Sequence, residues 1–193
     1  MSAALSENAK KFLIWYLTHL STSPLKTKAC TNGVLNGLQE LTAQKLSGTK
    51  LDKRIIQMAA YGLLVSGPLN HFLYEVMNKV FAGKTGTQVK VGQLLFSNLI
   101  ISPIMNSVYL TAMAMMAGVR SPAQLKANIK NRLLSMQKVS WVVSPLAMIF
   151  AQNFIPQQMW VPFFNVVAFT FGTYMNTMIK RRLIKEAKEA KKE

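Results

Sequence analysis

Charged residues are excluded from three long blocks of this chain. Residues 55–74, 91–119 and 139–179 contain no Asp, Glu, Lys or Arg. A helix needs about 20 mostly apolar residues to cross the hydrocarbon core of a bilayer. The first block, with its flanks, predicts one span at about 55–78. The second predicts one at about 91–118, with room for tilt. The third is too long for one ordinary crossing, and Pro145, Pro156 and Pro162 interrupt it. The stretch Ile155-Pro156-Gln157-Gln158 is the best place for a break. This predicts a helical entry segment at about 139–155 and a full span at about 158–179.

A fourth span is predicted at 24–46, amphipathic rather than uniformly apolar. Ser23 suits its N-cap and Pro24 its first turn. Leu25, Ala29, Cys30, Val34, Leu38 and Leu41 form an apolar side, and Lys28, Asn32, Asn36 and Gln39 recur on another. Gly33 and Gly37 are a small-xxx-small pair that lets a neighbouring helix approach closely. Two further helices have the look of interfacial elements. Residues 5–20 set Phe12, Trp15, Tyr16 and Leu20 beside Lys10 and Lys11. Residues 122–137 set Leu125, Ile129, Leu133 and Met136 opposite Lys126 and Lys130. The fold class is therefore all-α: a single integral membrane domain, 1–193, built as a four-helix bundle with interfacial amphipathic helices and a basic tail over 180–193.

Composition sharpens this picture. Half of the residues are hydrophobic, yet 23 Lys and Arg face only 7 Asp and Glu, for a formal charge of +16. A basic nucleic-acid binder would spread its charge through the fold, whereas here it sits in flanks and loops. Nucleic acid is thus not an expected partner. Anionic lipid head groups at the basic loops and tail are, with an RNA contact of the tail as the minor alternative. With four spans, the termini and the 79–90 loop share the more basic side, which puts both termini in the cytosol. If 139–179 crosses twice, the tail changes sides and the bias inverts.

The chain offers little to catalysis. With one Asp and six Glu, paired-carboxylate chemistry lacks raw material, so no catalytic residue is assigned. Cys30, His19 and His71 make no metal cluster, and no metal or cofactor is expected. Met113, Met115 and Met116 read as packing residues. Nothing in the first thirty residues resembles a cleaved signal or an Arg-rich transit peptide, and the Lys-Lys-Glu end is not a peroxisomal matrix tripeptide. An organelle address would then be internal.

Every expected span carries polar residues at helical spacing. Gln57, Tyr61, His71 and Glu75 surround a Gly67-Pro68 break, and Asn98, Ser102 and Asn106 recur at i, i+4. Ser140, Ser144, Gln152, Asn153, Asn165, Thr173 and Asn176 follow. Polar groups in hydrocarbon are costly unless satisfied. They can serve as interhelical hydrogen-bonding groups, or they can line a wet, weakly selective path for small solutes. The lining candidates are Asn32, Asn36, Asn98, Ser102, Asn106 and Asn165. His71 and Glu75, one turn apart, suit either a structural hydrogen bond or a proton relay.

From about Tyr16 to Tyr174 the motifs fall in a familiar order. Tyr16-Leu17, Pro24 and Thr27-Lys28-Ala29 come first, then Gly33 and Leu35. Gly67-Pro68, His71 and Tyr74 match a Gly-Pro-x-x-His-x-x-Tyr pattern, Pro103 a third-span proline, and Trp141, Pro145, Asn153-Phe154-Ile155-Pro156 and Asn165 a C-terminal signature. The chain resembles the family of the twenty-two-kilodalton peroxisomal membrane protein and its mitochondrial inner-membrane relatives. Ser97-Asn98, Ser144 and Trp160 stand where that family usually has an Asp-Gln pair, a second tryptophan and an arginine. The resemblance implies four spans, no enzymatic activity, a multi-pass peroxisomal membrane protein that meets the peroxisomal membrane-protein import machinery, and, for some members, a non-selective channel for small metabolites. The mitochondrial inner membrane is the alternative address. The expected function is a weakly selective pore, with a homo-oligomer left open. The alternative is a non-conducting scaffold that organises or sorts partner proteins.

Overall fold

The computed structural model of the chain describes residues 2–155 and 160–189, and all its regular elements there are helical. Helix α1 (Ser2–Thr22) turns at Ser23 into α2 (Pro24–Ser47). Proline suits the first turn of α2 because its missing N–H would have been an orphan donor. Gly48, at φ +69°, ends α2 in the left-handed conformation, and the Thr49 N–H reaches back to the Gln44 oxygen at 3.0 Å.

The next two helical runs share one device. Helix α3 (Arg54–Tyr61) passes through a π-turn at Gly62–Ser66 into α4 (Gly67–Val80). Helix α5 (Thr87–Phe96) passes through a π-turn at Ser97–Ile101 into α6 (Ser102–Met116). Each π-turn lies just ahead of a proline, Pro68 or Pro103. A proline ring inside a helix clashes with the carbonyl four residues back and supplies no N–H. Widening the turn before it accommodates the ring without ending the helix. The Gly67-Pro68 break expected from sequence is therefore a widened turn within one continuous rod.

Helix α7 (Pro122–Phe154) holds Pro145 in its interior, and α8 (Trp160–Glu189) completes the described chain. The segments 122–137 and 139–155, read separately from sequence, are one helix. No glycine or proline lies between Ala123 and Ser144, so nothing stops the helix there. Pro156 and the start of the expected 158–179 span lie outside the described residues. The first residues of the tail continue α8.

Helix α2 is the hub, packing against α3, the first π-turn, α4 and α8, while α6 packs along α7. Glycines on both sides of the α2 crossing explain the closeness. A Cβ on Gly33 would sit 3.2 Å from the Ala59 oxygen, and one on Gly67 would sit 2.5 Å from Ala29 Cα. A Cβ on Gly62 would overlap the Asn32 carbonyl. Of the small-xxx-small pair read in α2, Gly33 thus meets Gly62 of the opposing rod and Gly37 meets Ala59, while Gly67 packs on Ala29. Met58, Tyr61 and Met113 form the apolar core beneath it.

Large apolar side chains stay on the outside: Ile56, Leu64 and Phe154 are each more than 70% exposed. The runs Thr87–Met116 and Pro122–Ala151 are long and apolar enough to cross a membrane.

Candidate functional site

The polar residues gather into three places inside the helices. The first lies between α6 and α7. The Ser102 N–H bonds the Ser97 oxygen, five residues back, rather than the Asn98 oxygen of a regular α-helix. The next residue is Pro103 and has no N–H. The Asn98 carbonyl is thereby released, and a released carbonyl in a dry interior requires other donors. Helix α7 supplies them: Gln137 Nε2 donates to it at 3.2 Å and Trp141 Nε1 at 2.9 Å. Gln137 also donates to Ser102 Oγ at 3.0 Å and accepts from Asn106 Nδ2 at 2.9 Å. Asn98 Nδ2 turns back to the Leu94 oxygen.

The second is a cavity of about 180 Å³ at the centre of the bundle. Asn36, Gln39, Ser66, Asn106 and Asn176 line it with Tyr61 and Tyr109, beside Met105, Met136 and Met175. A cavity of this volume with several polar partners has room for more than one water. Tyr109 donates its hydroxyl proton to Asn176 Oδ1, while Asn176 Nδ2 has no hydrogen-bond partner among the described residues. Gln39 Nε2 donates to the Ala168 oxygen at 3.0 Å, joining α2 to α8 over Gly172.

The third is a charged cluster one turn further along. Glu40 is fully buried. Its Oε1 accepts from Lys180 Nζ at 2.6 Å and from Gln44 Nε2 at 2.8 Å, and Arg54 Nε stands 3.9 Å away. Gln44 also bonds Asp52, through its amide N–H to Oδ1 at 2.8 Å and its oxygen to the Asp52 N–H at 3.1 Å. The buried Glu40–Lys180 pair is tolerable because the two charges face each other and Oε1 is further hydrogen-bonded, while Oε2 has no hydrogen-bond partner among the described residues. It fastens α8 to α2 and to the start of α3.

The residues singled out from sequence therefore go to different places. Asn36 and Asn106 share the central cavity. Asn98 and Ser102 join the α6–α7 network. Asn32 Nδ2 donates to the Lys28 oxygen of its own helix. Asn165 Nδ2 meets Tyr16 Oη at 3.4 Å, between α8 and α1. His71 Nε2 stands 3.5 Å from Glu75 Oε1. Tyr74 is exposed, Asn153 bonds its own helix through the Ile149 oxygen, and Pro145 stays within α7.

Sequence reasoning missed Glu40, Arg54, Gln137 and Lys180. Two signals were present: Glu40 is the only acid in 24–46, and Gln137, Ser140 and Trp141 repeat at one-turn spacing.

The family model described as "Mpv17 / PMP22 family" matches residues 114–176. The chain is 45% identical over 177 residues to the Woronin body membrane protein wscA of Aspergillus fumigatus, covering 89% of this chain and 78% of that one. It is also 45% identical over 179 residues to a Woronin sorting complex protein of Neurospora crassa, covering 90% of this chain but only 58% of the longer relative. Peroxisomal membrane protein 2 of Bos taurus is 28% identical over 187 residues, covering 92% of this chain and 94% of that relative. No solved structure matches the chain.

Proposed function

This chain belongs to the Mpv17 / PMP22 family of membrane proteins, and from that membership we propose that it is a multi-pass peroxisomal membrane protein acting as a non-conducting scaffold that organises or sorts partner proteins. The observation that carries the reading is the α6–α7 network. Asn98, Ser102 and Asn106, the most regular polar stripe in the sequence, are engaged by Gln137 and Trp141. Side chains that satisfy one another hold helices in register and leave few free groups to guide a solute. The names of two relatives, a Woronin body membrane protein and a Woronin sorting complex protein, support the same direction. In this reading the chain is not an enzyme, and it reaches its membrane through the import machinery for peroxisomal membrane proteins.

A second reading, a weakly selective pore for small metabolites, is favoured by the central cavity with its amides and hydroxyls. Reconstitution of the purified chain in liposomes at high protein density separates the two. The scaffold reading expects no flux of small solutes above protein-free vesicles. It also expects crosslinking in intact membranes to give discrete adducts with other proteins. Sustained flux, or adducts containing this chain alone, would overturn it.

A further inference from the structure

A groove of about 1140 Å³ runs between α1 and α2, away from the polar core. The two helices form a V with its apex at Ser23. Tyr16, seven residues before the apex, meets Thr31, eight after it, at 3.3 Å, so the helices run antiparallel. The walls are apolar and aromatic. Phe12, Trp15 and Val34 are each more than half exposed, and Leu13 and Leu35 lie between them in the groove. No intact core would leave this surface to water, and the protein is a membrane protein.

His19, Ser23, Lys26 and Thr27 line the groove at its apex, and Thr31 and Asn165 meet the Tyr16 hydroxyl further along it. Ser23 is the N-cap residue of α2, yet its side chain makes no capping bond. Lys26 is exposed and has no ion-pair partner among the described residues. Lys10, at the open end, has none either. No Asp or Glu lines the groove. An apolar trough closed at one end by a free cation, a free hydroxyl and a helix N-terminus is complementary to a molecule with a long hydrocarbon part and one anionic head.

We propose that the α1/α2 groove binds an anionic phospholipid, with its acyl chains along Phe12, Trp15 and Val34 and its phosphate at Ser23 and Lys26. This is a defined site, distinct from general attraction of the basic loops to a charged surface. It goes beyond the scaffold reading and does not depend on it.

Cys30 provides the probe. It is the only cysteine in the chain, it is exposed, and it lines the groove. The full chain carrying a fluorophore on Cys30 is reconstituted in phosphatidylcholine vesicles. Equal mole fractions of brominated phosphatidylserine or brominated phosphatidylcholine are then included. Brominated phosphatidylserine is expected to quench at least twofold more strongly. Lys26→Gln should remove the preference, while Lys84→Gln, in a remote loop, should keep it. Native mass spectrometry of the unlabelled chain should show phosphatidylserine retained in preference to phosphatidylcholine, and less so with Lys26→Gln. Equal quenching by the two lipids would overturn the proposal. So would a label shielded from both, the result expected if a protein segment or a second copy fills the groove. Retained preference in Lys26→Gln would remove the assigned head-group site.

Discussion

The indole N–H of Trp141 donates to the main-chain oxygen of Asn98 across 2.9 Å, closing a gap that Pro103 opens five residues further on. Proline removes the donor, the π-turn shifts the remaining one, and α7 supplies two replacements. Trp141→Phe keeps the ring and removes the N–H. Its expected cost is about 1 kcal/mol, because Gln137 still serves the carbonyl. Trp141→Phe with Gln137→Leu leaves the carbonyl and neighbouring polar groups unserved, so it should cost more than the sum of the singles. Thermal unfolding of the purified chain in detergent reads all three. Simple additivity would show that the two donors act independently.

Pro103→Ala tests the cause of the same contact. The new residue has an N–H, and the helix can bond Asn98 locally. Trp141→Phe made in the Pro103→Ala background should then cost less than in the native chain. A double-mutant cycle on Tm reports the coupling. An unchanged cost for the tryptophan substitution would break the link drawn between proline, π-turn and indole.

Glu40 and Lys180 should be coupled far more strongly. Glu40→Gln leaves the buried Lys180 and the partly exposed Arg54 without their carboxylate, and a loss of about 3–5 kcal/mol is expected. Glu40→Leu combined with Lys180→Met removes the buried pair, leaves only the partly exposed Arg54 cation, and should recover part of that loss. Resistance to unfolding in a mixed-detergent titration gives the comparison. A double variant no more stable than Glu40→Gln would mean that Lys180 is not the partner that matters.

The glycine crossing predicts an order of severity. Gly67→Ala drives a Cβ against the main chain of Ala29, so the helices must separate. The expected cost is about 1–3 kcal/mol. Gly33→Ala meets its neighbours at 3.2 Å, and the better helix propensity of alanine, worth up to about 1 kcal/mol, works against the clash. Gly67→Ala should therefore lower Tm more than Gly33→Ala. The reverse order would contradict the packing described for α2 and α4.

Part of this arrangement was legible before any coordinates. Exclusion of charge marked 55–74, 91–119 and 139–179 as apolar stretches, because a charge inside hydrocarbon is costly, and the two runs long and apolar enough to cross a membrane, Thr87–Met116 and Pro122–Ala151, overlap the second and third of them. Gly33 and Gly37 pointed to a close crossing, and the Gly67-Pro68 and Pro103 positions to backbone irregularity. The irregularity itself was not legible. A proline can kink, break or widen a helix, and the choice depends on which neighbour can serve the released carbonyl. Likewise Asn98, Ser102 and Asn106 announced a polar stripe but not its partners, since Gln137 and Trp141 lie on another helix.

The sequence by itself determined that this is an all-helical membrane-family chain with its charge in the loops and tail, because segment hydropathy and helical period are local properties. Only the tertiary structure decided where the polar groups go. Glu40 meets Lys180 across 140 positions of chain, and Asn36 and Asn106 reach one cavity from different helices. A buried polar atom takes whichever donor or acceptor the packing brings within about 3 Å, and spacing along one helix does not reveal which neighbour that will be.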